Sequence, residues 1–319
     1  MTFVYPCSKM TEKPNISVYS GLTLICDPGG RLKVSEKVNP YLPFKATILS
    51  VIQETSDSGS FTSDLDIKTY RLQFNNNYIM DFLPGQFVEL SVPGVGEAPF
   101  GFASNPLEKA FIELTIKRTG LLTDAVHALS AGDELWIRGP FGNVFPIEKI
   151  RGREILLIAG GLGLAPLRPL ISYIFDPGQR DDFGLVNMLI AARSSNDFLY
   201  KYDYKEWQRQ KNVSLALTID KAEAGWEGLT GFPHNLVETL DFDKDKTTAL
   251  LCGPPIMIKA VAQKLLELGL QAEHILTTLE MRMTCGIGKC GKCNIGHQYI
   301  CVDGPVYSLA QLEKMPNEY

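Results

Sequence analysis

The sequence lacks the features of a membrane-spanning or nucleic-acid-binding chain. Its longest apolar stretch, residues 155–167, has 13 residues and contains three glycines and one proline, so it is too short to cross a bilayer. The 36 acidic residues outnumber the 31 lysines and arginines, and no basic stripe is present, which argues against a nucleic-acid partner. Residues 1–13 show no apolar export signal. We therefore expect a cytoplasmic protein with no membrane insertion.

The patterns of nucleophilic and histidine-ligated metal catalysis are also missing. The four histidines are scattered without metal-ligand spacing: His127, His234, His274 and His297. No Ser–His–Asp or Cys–His arrangement stands out. The sequence therefore offers no pocket of its own for an organic or inorganic terminal substrate.

The length and composition are those of a globular chain with more than one domain. At 319 residues the chain exceeds a single typical core, so two domains with additional segments are expected. Hydrophobic residues make up 45% and charged residues 21% of the chain, which is ordinary for globular proteins.

Four cysteines near the C-terminus are the most informative feature that is present. Cys285, Cys290, Cys293 and Cys301 have the spacing C-x4-C-x2-C-x7-C, the plant-type pattern for a [2Fe–2S] cluster. A four-thiolate zinc site or unligated thiols are the alternatives, but zinc ribbons usually have two separate C-x2-C pairs and this chain has one. The seven cysteines in all fit a reducing compartment better than a disulfide scaffold. We therefore favour the cluster.

The residues between these cysteines support this interpretation. Gly286, Gly288 and Gly291 separate the first three thiols, and glycine adopts the unusual dihedral angles that a tight loop around a cluster needs. Lys289 and Lys292 would offset the negative charge of four thiolates. Because a cluster of this kind moves one electron at a time, a two-electron donor is expected further upstream.

The N-terminal half predicts an extension followed by an antiparallel barrel. Residues 1–40, with Cys7 and Cys26, are interpreted as a poorly ordered or partner-contacting extension rather than a second metal site. In residues 41–150, short β-rich runs alternate with turn residues, which is typical of an antiparallel β-barrel domain. The predicted strands are Ala46–Gln53, Lys68–Phe74, Gln86–Val92, Phe111–Lys117 and Glu134–Arg138. One helix is expected near Thr123–Leu129, with Thr123 as its N-cap.

From residue 151 the pattern becomes α/β. Glu154–Ala159 is a continuous apolar run, as expected of a buried parallel strand. Strands and helices then alternate, which predicts a parallel sheet covered on both faces over residues 151–278, followed by a cluster-binding segment, 279–319. The predicted elements are strands Leu185–Ala191, Val213–Thr218 and Thr248–Cys252, and helices Leu167–Phe175 and Ile256–Leu268.

Two turns of this region have the composition of a dinucleotide site. The first joins strand Glu154–Ala159 to a helix and contains Gly160, Gly161, Gly163 and Pro166, so that backbone N–H groups and a helix N-terminus face an anionic diphosphate. Proline is tolerated in the first turn of a helix. The second turn, residues 252–255, reads Cys-Gly-Pro-Pro and follows a later parallel strand, where ligands bind in open α/β sheets. A tight turn without a ligand is the alternative for either turn taken alone.

The order of these motifs resembles the ferredoxin–NADP reductase superfamily, whose members bind a flavin on the barrel and a nicotinamide dinucleotide on the α/β domain. With the C-terminal cluster, the chain is most similar to two branches. One is the gamma (diaphorase) subunit of cytoplasmic NAD(P)-linked sulfhydrogenases, and the other is the electron-transfer subunit of dihydroorotate dehydrogenase. The resemblance covers residues 40–305 and includes the stretch 218–231.

The resemblance implies the flavin site residue by residue. The family's R-x-Y-S motif corresponds to residues 98–104, so Phe100 takes the stacking role. Ala98 stands where the family has the arginine that holds the flavin diphosphate. The missing positive charge would therefore come from Lys117 or Arg118. FAD is favoured as the flavin, with FMN as the alternative. Phe100 and Phe102 could instead be ordinary aromatic residues of the barrel core that do not contact a flavin. The implied flavin residues are Phe100, Gly101, Phe102, Ala103, Ser104, Lys117, Gly120, Thr123, Gly139 and Gly142.

The resemblance also implies the rest of the electron path. The NAD(P) residues would be Gly160, Gly161, Gly163, Pro166, Gly253 and Pro254. Arg193 follows the end of a strand and could bind the 2′-phosphate of NADP, and no acid occupies that strand end to bind the ribose hydroxyl of NAD. This pattern slightly favours NADP. Cys252 beside the nicotinamide and Glu280 as an acid are the candidate catalytic residues. Hydride would pass from NAD(P)H to the flavin and electrons singly to the cluster.

Because the chain has no site for a terminal substrate, another polypeptide must receive the electrons. We expect a subunit of a larger redox complex, with a [NiFe]-hydrogenase-type or other iron–sulfur partner. The dihydroorotate dehydrogenase electron carrier is the alternative within this architecture. A redox-sensing or assembly module that binds flavin and cluster without turnover is the alternative from another class.

Overall fold

In a computed structural model of the chain, the structure describes residues 24–26, 32–34, 39–55 and 66–316. The chain divides into two compact units, residues 1–42 and 43–319. The described part of the first unit comprises residues 39–42 and an antiparallel pair of strands, β1 and β2 (Leu24–Cys26 and Leu32–Val34). Cys7 lies outside the described residues.

The N-terminal half of the second unit is the expected antiparallel barrel. Its six strands have the order β6-β5-β8-β3-β4-β7. A single bridge between Phe102 and Leu114 brings the chain just after β6 against β7, while β6 itself remains a terminal strand of the order. The strands are β3 Phe44–Thr55, β4 Ile67–Phe74, β5 Phe87–Val92, β6 Gly96–Gly101, β7 Ile112–Lys117 and β8 Glu134–Phe141. Alternate residues such as Val88 and Leu90 point into one apolar core, as the period of a strand requires.

Two features of the barrel differ from the sequence expectation. Strand β6 was not predicted, because Gly96, Pro99 and Gly101 are turn formers; proline is accommodated since β6 is the terminal strand of the hydrogen-bonded order. The barrel helix, α1, spans Leu121–His127 and begins earlier than expected. Thr123 is not its N-cap: the Thr123 hydroxyl lies inside the first turn and bonds the Gly120 backbone.

The second half contains the expected parallel sheet, in the order β12-β11-β10-β9-β13-β14-β17, where β17 is Val306–Ser308 of the C-terminal segment. All neighbours are parallel except the antiparallel pair β14–β17. The strands are β9 Glu154–Gly160, β10 Val186–Ala192, β11 Val213–Ile219, β12 Leu229–Thr230, β13 Thr247–Cys252 and β14 Ile275–Thr278. The helices are α2 Ile147–Ile150, α3 Leu164–Ile174, α4 Tyr204–Arg209, α5 Pro233–Leu236 and α6 Pro255–Glu267.

Strand β9 shows why its sequence is apolar at every position. Ile155 and Leu157 face a core that includes the residues of α3. Leu156 and Ile158 face the opposite core, which includes the residues of α6. Both faces of the strand are therefore buried, as in other parallel sheets with helices on each side.

The C-terminal segment is joined to both halves of the second unit. Its elements are β15 Asn294–Ile295, β16 Gln298–Tyr299, α7 Ile300–Asp303, β17 Val306–Ser308 and α8 Leu309–Leu312. Strand β17 extends the α/β sheet, while the apolar core of the segment includes Phe87 and Phe141 of the barrel. Among the described residues, no helix is both long and apolar enough to span a membrane.

Candidate functional site

The two glycine turns predicted to bind a dinucleotide lie against each other. They follow the adjacent strands β9 and β13, and the chain leaves β9 towards one side of the sheet and β13 towards the other. A side chain on Gly163 would overlap the backbone of Cys252 and Gly253. Gly253 itself has φ +153° and lies against Gly160. The crevice at this switch in strand order is where ligands bind in open α/β sheets.

The conformation of the first turn suits close approach of a diphosphate. Gly161 has φ +53° and has no atom within 4 Å of where a Cβ would stand, so its backbone is open to a ligand. Pro166 lies in the first turn of α3, which leaves the helix N-terminus intact. Pro254 precedes α6 in the second turn. These residues fit a nicotinamide dinucleotide.

Arg193 lies exposed directly after β10, the strand next to β9. The sequence around it suggested that no acid is nearby, but the fold brings one. Glu223, from the loop after β11, accepts a hydrogen bond from the Ser195 backbone N–H at 3.2 Å. Both a cation and a carboxylate therefore lie near this strand end, and the acid was missed because it is 28 residues away in sequence.

Cys252 and Glu280 are brought into one neighbourhood at the carboxyl end of β13. The Cys252 thiol is buried and lies 3.0 Å from the Thr278 hydroxyl. Burial raises the pKa of Cys252 to about 12, and the charge of Glu280 contributes to the increase. The thiol is therefore neutral at physiological pH, whereas Glu280 is exposed.

The predicted flavin residues at the end of β6 divide into partly buried and fully buried ones. Phe100 is partly buried at the end of β6, and Gly101 faces Pro166: a Cβ added to the glycine would stand in ordinary contact, 3.6 Å from the proline Cβ. Phe102 instead stacks on Phe82 inside the barrel core, with ring centroids 3.8 Å apart, the core role left open above. Ala103 is also fully buried.

The hydroxyls of Ser104 and Thr123 bond the protein backbone nearby. The Ser104 hydroxyl accepts the Glu113 backbone N–H at 3.0 Å, and Thr123 stabilises the Gly120 turn. Of the two cations considered for the flavin diphosphate, Arg118 is paired with Asp124 at 2.7 Å. Lys117, the last residue of β7, is partly buried.

The motif Gly139–Gly142 connects the barrel to the cluster segment. Gly139 and Gly142 have φ +137° and +81°, and a side chain on Gly142 would overlap Pro305. The ring of Phe141 lies directly against Gly286 of the cluster loop. The side-chain amide of Asn143 also donates to the carbonyls of Asp303 and Val306, each at 2.8 Å. The flavin motif and the cluster segment are therefore in direct contact.

The cysteine loop has the geometry that a cluster needs. Gly286, Gly288 and Gly291 have φ between +70° and +73°. The backbone N–H of Gly288 donates to the Cys301 sulfur at 3.2 Å, and that of Lys289 to the Cys285 sulfur at 3.3 Å. These contacts match the sulfur-directed N–H groups expected around bound thiolates.

The four thiols form two close pairs. The thiols of Cys285 and Cys290 interact, as do those of Cys293 and Cys301. No three His, Cys, Asp or Glu side chains of the described residues converge on one metal position. A two-iron cluster does not require this, because each iron takes two thiolates from the protein, and the two cysteine pairs supply them. Burial raises the pKa of Cys285, but backbone N–H groups outweigh it and lower the value to about 7, which favours the thiolate at this residue. Burial and the neighbouring Cys293 thiol instead raise the pKa of Cys301 to about 12.

A buried charged group beside this loop was not found from the sequence. Arg138 forms an ion pair with Glu97 and donates to the carbonyl oxygen of Cys285 at 3.1 Å. Glu89, opposite Arg138 on β5, is fully buried and neither of its oxygens has a hydrogen-bond partner. Burial and the charge of Glu97 raise the pKa of Glu89 to about 8. A charged residue within the apolar run Phe-Val-Glu-Leu of β5 was the available signal.

A second network missed from the sequence holds the two halves of the unit together. Arg168 of α3 donates to Glu113 Oε2 at 2.5 Å and to the Ala103 carbonyl at 2.7 Å, both in the barrel. It also pairs with Asp203 at 2.7 Å and lies over the ring of Tyr200. The nucleotide-binding helix is therefore fixed to the flavin-binding barrel two residues after Pro166.

Comparison with known families covers three consecutive parts of the chain. Residues 58–145 match the oxidoreductase FAD-binding domain and residues 157–263 the oxidoreductase NAD-binding domain. Residues 280–313 match the iron–sulfur cluster binding domain of dihydroorotate dehydrogenase B. The expected cofactor set of FAD, a nicotinamide dinucleotide and an iron–sulfur cluster is therefore confirmed at the level of binding domains.

Individual relatives align over most of their length. Sulfhydrogenase 1 subunit gamma of Pyrococcus furiosus is 37% identical over 290 residues, covering 87% of this chain and 94% of that protein. The probable dihydroorotate dehydrogenase B (NAD(+)) electron transfer subunit of Thermococcus kodakarensis is 34% identical over 247 residues, covering 77% and 92%. A solved NADH-dependent reduced ferredoxin-NADP oxidoreductase has the same fold, with a TM-score of 0.65 at 23% identity over 85% of this chain and 89% of that chain.

The matches and the geometry agree with the resemblance read from the motifs. The chain belongs to the ferredoxin reductase-like family of FAD- and NAD-binding oxidoreductases, in the group with a C-terminal iron–sulfur binding domain that includes sulfhydrogenase gamma subunits and dihydroorotate dehydrogenase B electron-transfer subunits.

Proposed function

We propose that the chain is an NAD(P)H:acceptor oxidoreductase (diaphorase) subunit that moves electrons between NAD(P)(H) and a partner catalytic subunit. When bound, the flavin takes up the two electrons of a hydride and the cluster carries one electron at a time. The chain's own residues supply the binding, the orientation and the contact between the three sites.

A continuous line of contacts carries this proposal. The helix after the nucleotide turn bonds the flavin-binding barrel directly, because Arg168 donates to the Ala103 carbonyl at 2.7 Å, and Pro166 faces Gly101 across a gap that one Cβ would fill. The flavin motif touches the cluster loop where Phe141 meets Gly286. A chain that only sensed redox state would not need all three sites in series, whereas electron transfer requires them to be adjacent.

The residues at the nucleotide end would set the position of the nicotinamide. Gly160, Gly161, Gly163, Gly253 and Pro254 would hold the dinucleotide across the crevice between β9 and β13. Cys252, kept neutral by burial, would pack as a thiol beside the nicotinamide rather than act as a nucleophile. Glu280 is exposed and would serve as the acid nearest to it.

The residues at the flavin end are carried by the barrel, proposed as the domain of residues 41–150. Phe100 would stack on the isoalloxazine, with Lys117 and the Gly120 turn towards the diphosphate. Residues 151–278 would form the nucleotide domain and residues 279–319 the cluster segment, with Cys285, Cys290, Cys293 and Cys301 as ligands.

The partner we propose is a catalytic subunit of the hydrogenase type, since a sulfhydrogenase gamma subunit aligns with this chain over 94% of its own length. A dihydroorotate dehydrogenase catalytic subunit is the second candidate, favoured by the match of residues 280–313. Identification of the subunit that co-purifies with the native protein separates the two.

The test uses anaerobically purified chain with FAD and a reconstituted cluster. We expect oxidation of NADH or NADPH with ferricyanide or viologen as acceptor. In Cys290→Ser, the visible and EPR signals of the cluster should vanish while ferricyanide reduction persists, because Cys290 is exposed and its loss leaves the flavin path intact.

Two results would count against this assignment. No turnover with either nucleotide, in protein that contains flavin, favours the redox-sensing module. Loss of ferricyanide reduction together with the cluster, in a folded and flavin-loaded Cys290→Ser protein, contradicts the order of nucleotide, flavin and cluster.

A further inference from the structure

Arg138 connects the barrel to the first cysteine of the cluster loop. It lies on β8 and is 7% exposed. One guanidinium nitrogen donates to the Cys285 carbonyl at 3.1 Å and another reaches the Thr284 carbonyl at 3.5 Å. The side chain thus bonds the backbone of a cluster-binding residue from the neighbouring barrel strand.

The other side of the guanidinium is fixed by the barrel. Arg138 Nε donates to Glu97 Oε2 at 3.1 Å, and a terminal nitrogen donates to the second oxygen of the same carboxylate. This two-point pairing suits the planar fork of arginine. The guanidinium carbon lies 5.5 Å from the centre of the Phe141 ring, which itself touches Gly286.

The location of this ion pair gives it an electrical consequence. Four thiolates make the cluster negative, and reduction adds one more electron, so a nearby fixed cation stabilises the reduced form. Glu97 opposes that effect. Lysines 289 and 292 are exposed to solvent, where water and salt screen their charge more strongly.

We propose that Arg138 is a positioning residue that fixes the cluster loop to the barrel and, together with Glu97, sets the reduction potential of the cluster. This inference rests on the [2Fe–2S] cluster of the proposed function. It assigns opposite electrical roles to the two members of one ion pair, which a purely structural contact would not have.

The experiment compares Arg138→Gln, Arg138→Lys and Glu97→Gln with Arg71→Gln as the matched control. Arg71 is a barrel arginine that pairs with Glu113 at 2.8 Å, so its substitution removes the same charge elsewhere. The cluster potential is measured by EPR-monitored titration of the holoprotein. Amide hydrogen exchange of residues 284–288 is measured in the apoprotein.

We expect R138Q to disfavour reduction about tenfold, a shift of about 59 mV to lower potential for one electron. E97Q should shift the potential upward, R138K should keep it within about threefold of wild type, and R71Q should leave it unchanged. Exchange of residues 284–288 should accelerate about tenfold in R138Q. It should also accelerate in R138K, because an ammonium does not reproduce the fork, whereas E97Q should keep the loop bonds.

Three results would overturn the proposal. The first is a shift of the cluster potential in the same direction for R138Q and E97Q, and the second is an R138Q potential equal to that of R71Q. The third is unchanged amide exchange of residues 284–288 in R138Q. If R138Q holds no iron, two other measurements test the proposal: the reduction potential of the E97Q cluster, expected to rise, and the amide exchange of residues 284–288 in the R138Q and R138K apoproteins, expected to accelerate. Absence of iron in the wild-type protein is a separate result that contradicts the proposed function, and the exchange measurement on the apoprotein still tests the contact.

Discussion

Replacement of Gly163 by alanine tests whether the two glycine turns form one nucleotide site. Gly163 has φ −61°, so alanine is not excluded by the backbone angle. The added Cβ would instead stand closer than 3.0 Å to the Cys252–Gly253 peptide. That peptide is backbone and cannot rotate away, so the two turns must separate.

The cost follows from overpacking. Inserting a methyl group into a packed site costs about 1–3 kcal/mol. If nucleotide binding needs the original spacing of the turns, the dissociation constant for NAD(P)H should rise at least about fivefold, since 1.4 kcal/mol is tenfold. The melting temperature should fall by about 2 °C or more.

The assay is a nucleotide titration by equilibrium binding, with flavin content checked by absorbance. Flavin content should be unchanged, because Gly163 lies in the turn between β9 and α3, outside the barrel. Gly178→Ala is the control: its Cβ would meet only the flexible side chain of Asp176 at 3.2 Å. A G163A protein that binds NAD(P)H within twofold of wild type, at the same melting temperature, would refute the reasoning.

Two further substitutions probe the buried charges. Arg168→Ala leaves Asp203 without its cation and Glu113 with only Arg71, so chemical denaturation should show that the free energy of unfolding falls by about 3–5 kcal/mol. The control, exposed Arg209→Ala, should lose about 0.5 kcal/mol. A loss below about 1 kcal/mol in Arg168→Ala would contradict the role of Arg168 in joining the two halves of the unit. Glu89 has a pKa raised to about 8 from 4.5, so the folded state binds more protons than the unfolded state between these values. The contribution of Glu89 to the stability of the apoprotein should therefore fall as pH rises from 4.5 to 8. Glu89→Gln should flatten that dependence, and an equally steep Glu89→Gln curve would refute the assignment.

The sequence predicted those parts of the fold that depend on local pattern. Strands with alternating or continuous apolar residues, such as β5 and β9, were located to within one or two residues. Strand β6 was missed, because Gly96, Pro99 and Gly101 indicate turns unless the edge position of the strand is known.

The candidate site was predictable where one short motif carries it. The cysteine spacing identified a loop that the structure shows with three glycines at positive φ, and the two glycine turns were found to be in contact. Arg138, Arg168 and Glu223 were not predictable, since each acts on residues that are distant in sequence. Their roles arise from register and domain packing, which a single sequence does not encode locally.

The central claim is that electrons from the nicotinamide reach iron held by the C-terminal cysteines. The most direct measurement is anaerobic addition of NADH or NADPH to flavin-loaded, iron-loaded protein, followed by EPR at low temperature. The account predicts a reduced [2Fe–2S] signal approaching one spin per chain, and none after removal of the flavin. A protein that contains both cofactors, is reduced to the same signal by dithionite, and remains EPR-silent with either nucleotide would contradict it.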